Sequence, residues 1–195
     1  MPPPLQIHLP AWLDAETGHD SVTFATVEER MQYAIKLARL NVENGTGGPF
    51  GAAIFERLSG HLVAAGVNCV VGQNCSIAHA EMMAIATAQQ KIGHYDLGAG
   101  DKDHELVTSV EPCAMCLGAV PWSGVSSIVC GARAEDAESI GFKEGAKPQD
   151  WIGELSTHGI KTQRDVCRDA AVRVLTQYLE SGGMLYNGTR DAGPL

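Results

Sequence analysis

Apolar residues recur along the chain at two different spacings, and each spacing predicts a kind of element. Residues 31–42 carry an apolar stripe at helical spacing, and Thr26 before them can cap a helix. A glycine-rich stretch ends this pattern. The runs 50–55 and 62–71 are apolar throughout and are separated by the turn Leu58-Ser59-Gly60, so together they predict a β-hairpin.

The rest of the chain alternates between the two spacings. Residues 80–92 are apolar on more than one face, which is typical of a helix buried against a sheet. Further helices are predicted at 112–122, 134–140 and 167–179, and further strands at 105–110, 127–131 and 159–166, whereas 147–156 shows no clear pattern. Strands that alternate with buried helices predict an α/β fold, a three-layer α/β/α sandwich with a mixed five-stranded sheet.

The domain organisation follows from where these patterns begin and end. Residues 1–25 are interpreted as an N-terminal extension, in which prolines oppose an early helix and Trp12 and Leu13 can dock on the body or on a partner. Residues 26–183 show neither an internal repeat nor a linker, so they predict one domain. Residues 184–195 form a C-terminal tail.

Composition and charge narrow the function. The 195 residues are 45% hydrophobic and 19% charged, which is typical of a globular protein, and the net charge is −9. An acidic surface argues against a protein built to grip a nucleic acid backbone, but not against a small neutral substrate. No apolar run approaches the roughly 20 residues that a membrane helix needs, and the first residues lack the pattern of a signal peptide. We therefore predict a cytoplasmic protein without membrane contact.

The six cysteines favour metal binding over disulfides in a reducing compartment. Cys113 and Cys116 are three positions apart at a predicted helix start, so their sulfurs share a face and the helix dipole favours thiolates. The remaining cysteines are interpreted as small core residues; they are Cys69, Cys75, Cys130 and Cys167.

His79 begins the other predicted helix, and the two helix starts can lie side by side. Two thiolates and one imidazole can hold a zinc ion and leave a fourth position open, as in catalytic zinc sites. Glu81 would remain free to move protons. A free carboxylate cannot usefully deprotonate water, because their pKa values differ by about 11 units, but zinc lowers the pKa of bound water to about 7. We expect one zinc ion per chain.

Two alternatives stay open at this point. A fourth ligand, for which Cys75 is the candidate, would close the site into a structural zinc centre, and a Cys-x-x-Cys pair can also occur without metal. Neither alternative explains why Glu81 accompanies His79.

The motifs His79-x-Glu81 and Pro112-Cys113-x-x-Cys116 form the zinc deaminase signature. The chain resembles the cytidine-deaminase-like superfamily over about 28–144, and within it the bacterial-type guanine deaminases. The flanking segments that carry this closer resemblance are Gly47-Gly48-Pro49-Phe50-Gly51-Ala52, Ala65-Gly66-Val67-Asn68, Leu117-Gly118-Ala119 with Trp122, and Gly141-Phe142-x-Glu144.

The resemblance implies roles for several residues. Asn68 would hold the edge of a purine, and Glu144 would be a second carboxylate that binds the N–H edge of guanine and helps to move protons. The family usually has aspartate at the position of Glu144. The implied substrate-binding residues also include Phe50, Ala80, Trp122, Phe142 and Tyr186. The alternatives are an ordinary loop asparagine, core aromatic residues and a solvated surface glutamate.

The resemblance also implies the reaction and the assembly. The expected reaction is hydrolytic deamination of guanine to xanthine and ammonia, with aminotriazines such as ammeline as further substrates. A homodimer is implied in which the C-terminus is exchanged and Tyr186 covers the partner's site. The competing hypotheses are a tRNA adenosine deaminase, a deaminase domain of riboflavin synthesis without its usual reductase, and a zinc-stabilised binding protein that catalyses nothing.

Overall fold

The computed structural model describes residues 6–17 and 22–187, and the elements in these ranges alternate as the sequence predicts. The helices are α1 Trp12–Thr17, α2 Val27–Glu43, α3 Val70–Gln73, α4 Ala80–Ile92, α5 Ala114–Ser123, α6 Ala134–Ser139, α7 Trp151–Thr157 and α8 Arg168–Glu180. The strands are β1 Gly51–Glu56, β2 Leu62–Val67, β3 His104–Val110, β4 Ser127–Ala132 and β5 Lys161–Gln163. None of the described helices is long and apolar enough to cross a membrane.

The five strands form one mixed sheet in the order β2-β1-β3-β4-β5. The strand β1 is antiparallel to both β2 and β3, whereas β3, β4 and β5 run parallel. The predicted mixed five-stranded sheet is therefore confirmed.

Alternate residues of each central strand point to opposite faces of the sheet, and each face has its own core. In β1, Ala53 and Phe55 pack with residues of α2 and α8, whereas Ala52 and Ile54 pack with residues of α4, α5 and α7. The predicted three-layer sandwich is confirmed, with α2 and α8 on one face and α4, α5 and α7 on the other.

Two glycines let helices approach the sheet closely. A Cβ atom on Gly51 would lie 2.4 Å from the carbonyl oxygen of Ala34 in α2, and one on Gly66 would lie 2.3 Å from that of Ala80 in α4. The absence of a side chain at Gly66 therefore fixes the distance of α4, which follows His79, from the sheet.

The structure corrects several predicted boundaries. The strand β2 ends at Val67 and not at 71, because the backbone N–H of Cys69 turns to bond Ala78 and the chain then enters α3. Pro112 precedes α5, with Cys113 at the N-cap, so the proline lies outside the first turn. A short helix, α1, does form soon after Pro10.

The N-terminal segment docks on the body of the protein. Leu13 is only 2% exposed, and its core cluster includes residues of α2 and β2. Trp12 packs partly buried against the same cluster and bonds to Thr46. The prediction that Trp12 and Leu13 could dock is thus realised within the chain itself.

Candidate active site

The starts of α4 and α5 meet beside the sheet, and each carries a residue of the predicted metal site. His79 is the N-cap of α4, and Cys113 is the N-cap of α5. One ligand atom each from His79, Cys113 and Cys116 lies within 4.8 Å of the others, and Cys113 Sγ is 3.5 Å from His79 Nδ1. Ligands at zinc's usual bond lengths in a tetrahedron are about 3.6 Å apart, so this donor set fits zinc.

The two thiols differ in their electrostatics. The hydrogen bond from Cys116 lowers the pKa of Cys113 to about 4, against the opposing effect of burial, and His79 assists. The same hydrogen bond and burial raise the pKa of Cys116. Burial would lower the pKa of His79, but Cys113 and the Glu81 carboxylate together raise it. Cys113 is therefore prepared as a thiolate, the form that a metal needs.

In the described residues this potential metal group comprises only His79, Cys113 and Cys116. Cys75, the candidate for a fourth ligand, instead packs partly buried against the core on the α2 side of the sheet. The arrangement of the described residues therefore corresponds to a three-ligand site with an open position.

Glu81 lies in the first turn of α4, next to the potential ligands. Its side chain is buried, and Oε2 is 3.5 Å from Cys116 Sγ. Burial raises the pKa of Glu81, the Cys113 thiolate raises it further, and His79 opposes the shift. A carboxyl group with a raised pKa beside a metal site can take up a proton and give it away again.

A cavity of about 200 Å³ opens beside these groups. Its lining residues are Phe50, Asn68, Val70, Ser76, His79, Glu81, Glu111, Cys113, Phe142, Lys143, Glu144, Tyr186 and Asn187. The cavity is smaller than the 300 to 1,000 Å³ typical of sites for drug-sized ligands, so its size suits a small planar molecule such as a nucleobase.

Three buried polar atoms in this cavity lining have no hydrogen-bond partner within the described protein: Asn68 Nδ2, Glu144 Oε2 and the hydroxyl of Tyr186. Buried polar groups are normally hydrogen-bonded, and an unmade bond costs about 1 to 3 kcal/mol. Three such atoms around one cavity indicate a polar ligand.

Asn68 presents its amide nitrogen because its oxygen is already engaged. The backbone N–H of Val70 donates to Asn68 Oδ1 at 3.3 Å, which leaves Nδ2 as the free donor. Phe50 and Phe142 meet edge to face across the lining, with ring centroids 4.9 Å apart. A flat ring would thus meet a polar donor and aromatic walls.

Glu144 is buried, and not solvated as the alternative interpretation required. The backbone N–H of Ala114 in α5 donates to the carbonyl oxygen of Glu144 at 2.8 Å, which holds Glu144 next to Cys113. Burial raises the pKa of Glu144 to about 8, although Lys147, 3.9 Å from Oε2, opposes the shift. The carboxyl group therefore holds its proton near neutral pH.

The C-terminal segment lies over the cavity of its own chain. Asn187 accepts a hydrogen bond from the Lys143 N–H at 2.9 Å and donates one to the Gly141 carbonyl at 2.8 Å. Tyr186 thereby stands 5.2 Å from Phe142, measured between ring centroids. Exchange of this segment with a second subunit stays a prediction.

Residues 25–132, more than half of the chain, match the family described as the cytidine and deoxycytidylate deaminase zinc-binding region. The chain belongs to this deaminase family. The predicted membership of the cytidine-deaminase-like superfamily is thereby confirmed.

Relatives of this deaminase are found among both curated proteins and solved structures. The chain is 40% identical to a guanine deaminase of Bacillus subtilis over 60% of the chain and 71% of the relative. It is 48% identical to a guanine deaminase from Nitrosomonas europaea, with a TM-score of 0.88 over 92% of this chain and 98% of the other. A tRNA-specific adenosine deaminase of Buchnera aphidicola is 28% identical over 77% of the chain and 92% of the relative.

Two predicted substrate-binding residues of this deaminase lie outside the cavity lining. Trp122 is 86% exposed near the end of α5, because that helix turns Val120 to the core and Trp122 to solvent. Trp122 therefore does not line the cavity in the single chain, and its role in substrate binding stays a prediction. Ala80 is fully buried between His79 and Glu81, with its carbonyl oxygen close to Gly66.

Several residues that line the cavity were not predicted as site residues, among them Glu111, Lys143 and Asn187. Glu111 directly precedes the Pro112-Cys113 motif, and this position next to the motif could have identified it as a site residue. Its carboxylate bonds Arg164 and the backbone N–H of Ala134, so it is fixed before any ligand arrives. No sequence pattern marked Asn187, because its contacts are with backbone groups distant in the chain.

Proposed function

We propose that this protein catalyses the hydrolytic deamination of guanine to xanthine and ammonia. The observation that carries the proposal is the set of three unpartnered polar atoms, on Asn68, Glu144 and Tyr186, around a small cavity beside Glu81 and the potential zinc ligands. The similarity to guanine deaminases from two bacteria supports the same substrate.

His79, Cys113 and Cys116 would hold the zinc ion, one per chain, which when bound lowers the pKa of a water molecule and so supplies a nucleophile at neutral pH. Glu81 accepts the proton that this water loses at its carboxylate oxygen. Glu81 delivers this proton to the ring nitrogen next to C2 as the water oxygen bonds to C2. It then accepts the second proton of that oxygen and delivers it to the amine as the bond between C2 and the amine nitrogen breaks. Its burial excludes bulk water and raises its pKa, which matches it to both transfers.

The remaining groups orient the ring. Asn68 Nδ2 donates to an acceptor on the edge of the base, and the Glu144 carboxyl group accepts from a ring N–H with one oxygen while it can donate with the other. Phe50 and Phe142 contact the ring plane and edge, and the Tyr186 hydroxyl completes the polar set. A guanine ring thus satisfies buried groups that would otherwise remain unpaired.

Further parts of the proposal concern substrate range and setting. An aminotriazine such as ammeline presents a similar edge, and we propose it as a second substrate. We also propose a role in purine metabolism, a cytoplasmic location and a homodimer. The alternative of a tRNA adenosine deaminase is weaker, because the net charge is −9 and because Tyr186 and Asn187 of the C-terminal segment line a cavity of only about 200 Å³.

The test is an ammonia-release screen of the purified zinc-loaded protein against guanine, adenine, cytosine, cytidine, guanosine and aminotriazines, with a tRNA substrate in a parallel arm. We expect guanine to be the best substrate, with aminotriazines next. Preference for adenine, for a nucleoside or for tRNA would refute the guanine assignment. Zinc binding without any ammonia release would favour the zinc-stabilised binding protein.

A further inference from the structure

A chain of hydrogen bonds joins the N-terminal segment to the interior of the deaminase domain. The indole N–H of Trp12 in α1 donates to Thr46 Oγ1 at 3.0 Å. The same hydroxyl donates to Asn41 Oδ1 at 2.7 Å. Thr46 therefore connects the docked segment with a residue near the end of α2.

Asn41 in turn bonds to the backbone of Asn68, which lines the cavity. It is fully buried, and its Nδ2 donates to the backbone oxygens of Gly48 at 2.9 Å and Asn68 at 2.8 Å. Both amide hydrogens and the amide oxygen of Asn41 are thus engaged, which leaves the side chain one orientation. The backbone of Asn68, whose own amide faces the cavity, is fixed by that orientation.

The loop that carries Asn68 has little room to move. A Cβ atom on Gly47 would lie 1.8 Å from the Asn68 carbonyl oxygen, so the two loops are in direct contact. The N-terminal segment also contacts the far end of this loop, because the backbone N–H of His8 donates to Gln73 Oε1 at 3.0 Å. The segment therefore supports both sides of the stretch that presents Asn68 and Val70 to the cavity.

We propose that the N-terminal segment positions the substrate-binding amide of Asn68 through the relay Trp12–Thr46–Asn41. This inference rests on the proposed function, in which Asn68 binds the base. The three relay residues are positioning residues, since none of them lines the cavity. They act on ring binding and leave the proton transfers of Glu81 unchanged.

The first test compares Thr46→Val with Thr46→Ser, since valine keeps the size of threonine without the hydroxyl, whereas serine keeps the hydroxyl and lacks only the methyl group. Thr46→Val removes both relay hydrogen bonds of this hydroxyl, and the loss of each neutral hydrogen bond corresponds to about a two- to tenfold weaker interaction. We expect Thr46→Val to raise KM for guanine, and Kd for 8-azaguanine, by about that factor with kcat within about twofold. Thr46→Ser should restore both constants.

The second test asks whether the relay acts as a unit. Trp12→Phe keeps the aromatic packing and removes the N–H, and combined with Thr46→Val it should add little to the rise in KM, since coupled residues are non-additive. Glu16→Gln is the matched control in the same segment, because Glu16 pairs with Lys36 and not with the relay. It should leave KM unchanged.

Three results would overturn the relay. One is a fall in melting temperature in Thr46→Val with unchanged KM and Kd. Another is an equal rise in KM in Glu16→Gln, and the third is failure of Thr46→Ser to restore binding. Should the wild type release no ammonia from guanine, the proposed function fails separately. The side-chain amide NMR signal of Asn68 then decides the relay, since it must shift in Thr46→Val and not in Thr46→Ser.

Discussion

At the scale of the single residue, Glu81 separates catalysis from metal binding. Glu81→Gln keeps the shape of the side chain but cannot accept a proton, so we expect turnover to fall at least about hundredfold. The zinc content should remain that of the wild type, because the group of potential ligands does not include Glu81. Ammonia release and metal analysis on the same sample check both statements, and retained turnover would contradict the role given to Glu81.

Glu144 gives a pH-dependent prediction. Burial raises its pKa from 4.5 to about 8 in the folded protein. A group whose pKa is raised on folding stabilises the protein fully below its unfolded pKa, and this contribution is lost as the pH rises from 4.5 to about 8. The glutamine of Glu144→Gln does not titrate, so the variant does not lose this contribution as the pH rises. Its free energy of unfolding should therefore rise relative to that of the wild type between pH 5 and pH 9, by up to about 5 kcal/mol. Urea unfolding at several pH values measures the difference in the free energy of unfolding. A difference between variant and wild type that does not change with pH would contradict the raised pKa.

A second substitution at position 144 tests substrate binding. Glu144→Ala removes both carboxyl oxygens from the cavity, and we expect kcat/KM for guanine to fall by about 100-fold or more, since a buried charged or polar partner is then unpaired. Zinc content is the control. An unchanged rate on guanine would mean that Glu144 has no part in the reaction.

The residues of the site were predictable to different degrees. Residue type and spacing predicted His79, Cys113 and Cys116 as metal ligands, and these residues lie together in the structure. The exposure of Trp122 in the single chain was not predictable, because sequence spacing does not say which face of an apolar helix is covered. Asn41 was not predictable as a positioning residue, since it acts on backbone oxygens 7 and 27 positions away.

At the scale of the element, the close contact of α4 with β2 determines where His79 and Glu81 stand. Gly66→Ala places a methyl group 2.3 Å from the carbonyl oxygen of Ala80, so α4 must shift. We expect a loss of about 1 to 3 kcal/mol in the free energy of unfolding, together with weaker zinc binding. Chemical denaturation and competition with a zinc chelator measure the two effects.

Gly118→Ala is the matched control for that prediction. Gly118 lies in α5, and a Cβ atom there meets nothing within 4 Å. The substitution should be neutral or stabilise by up to about 1 kcal/mol, because alanine favours a helix. Equal damage from both substitutions would show that the contact of α4 with the sheet is not special.

Elements with a strong local pattern were predicted well. Thr26 caps α2 as predicted, since its hydroxyl accepts from the Glu29 N–H. In addition, the Glu29 carboxylate accepts from the Thr26 N–H. The helix α7 was missed because it is short and buries mainly Trp151 and Leu155. The end of β2 was misplaced because Val70 and Val71 are apolar, although they begin a turn of helix beside the cavity.

At the scale of the whole molecule, a zinc ion would connect two helices that lie 34 residues apart in sequence at their N-caps. A ligand that binds only the folded protein stabilises it by about 2.7 kcal/mol at a hundred times its Kd. We therefore expect a chelator to lower the melting temperature by about 5 to 10 °C and to abolish ammonia release. Readdition of zinc should restore both, and Cys113→Ser should not respond to the chelator.

The layers of the molecule were predictable because β1, β2 and β4 are mostly apolar, and because the buried helices α4 and α5 stand between the strands β2, β3 and β4. The assembly was less predictable. The resemblance implied an exchanged C-terminus, which stays a prediction, and in the single chain Asn187 bonds to positions 141 and 143. A mass measurement in solution would give the oligomeric state. Ammonia release by a mixture of Tyr186→Phe and Glu81→Gln chains, compared with each variant alone, would reveal whether two chains share a site.

The docking of both terminal segments has a practical consequence for anyone who handles the protein. A purification tag or a fluorescent fusion near position 6 would disturb the docking of Trp12. One near position 187 would disturb Tyr186 and Asn187, which line the cavity. The loop at 99–101 is exposed, and Gly100 has open space around it. An affinity peptide inserted there should leave kinetics intact where terminal labels do not.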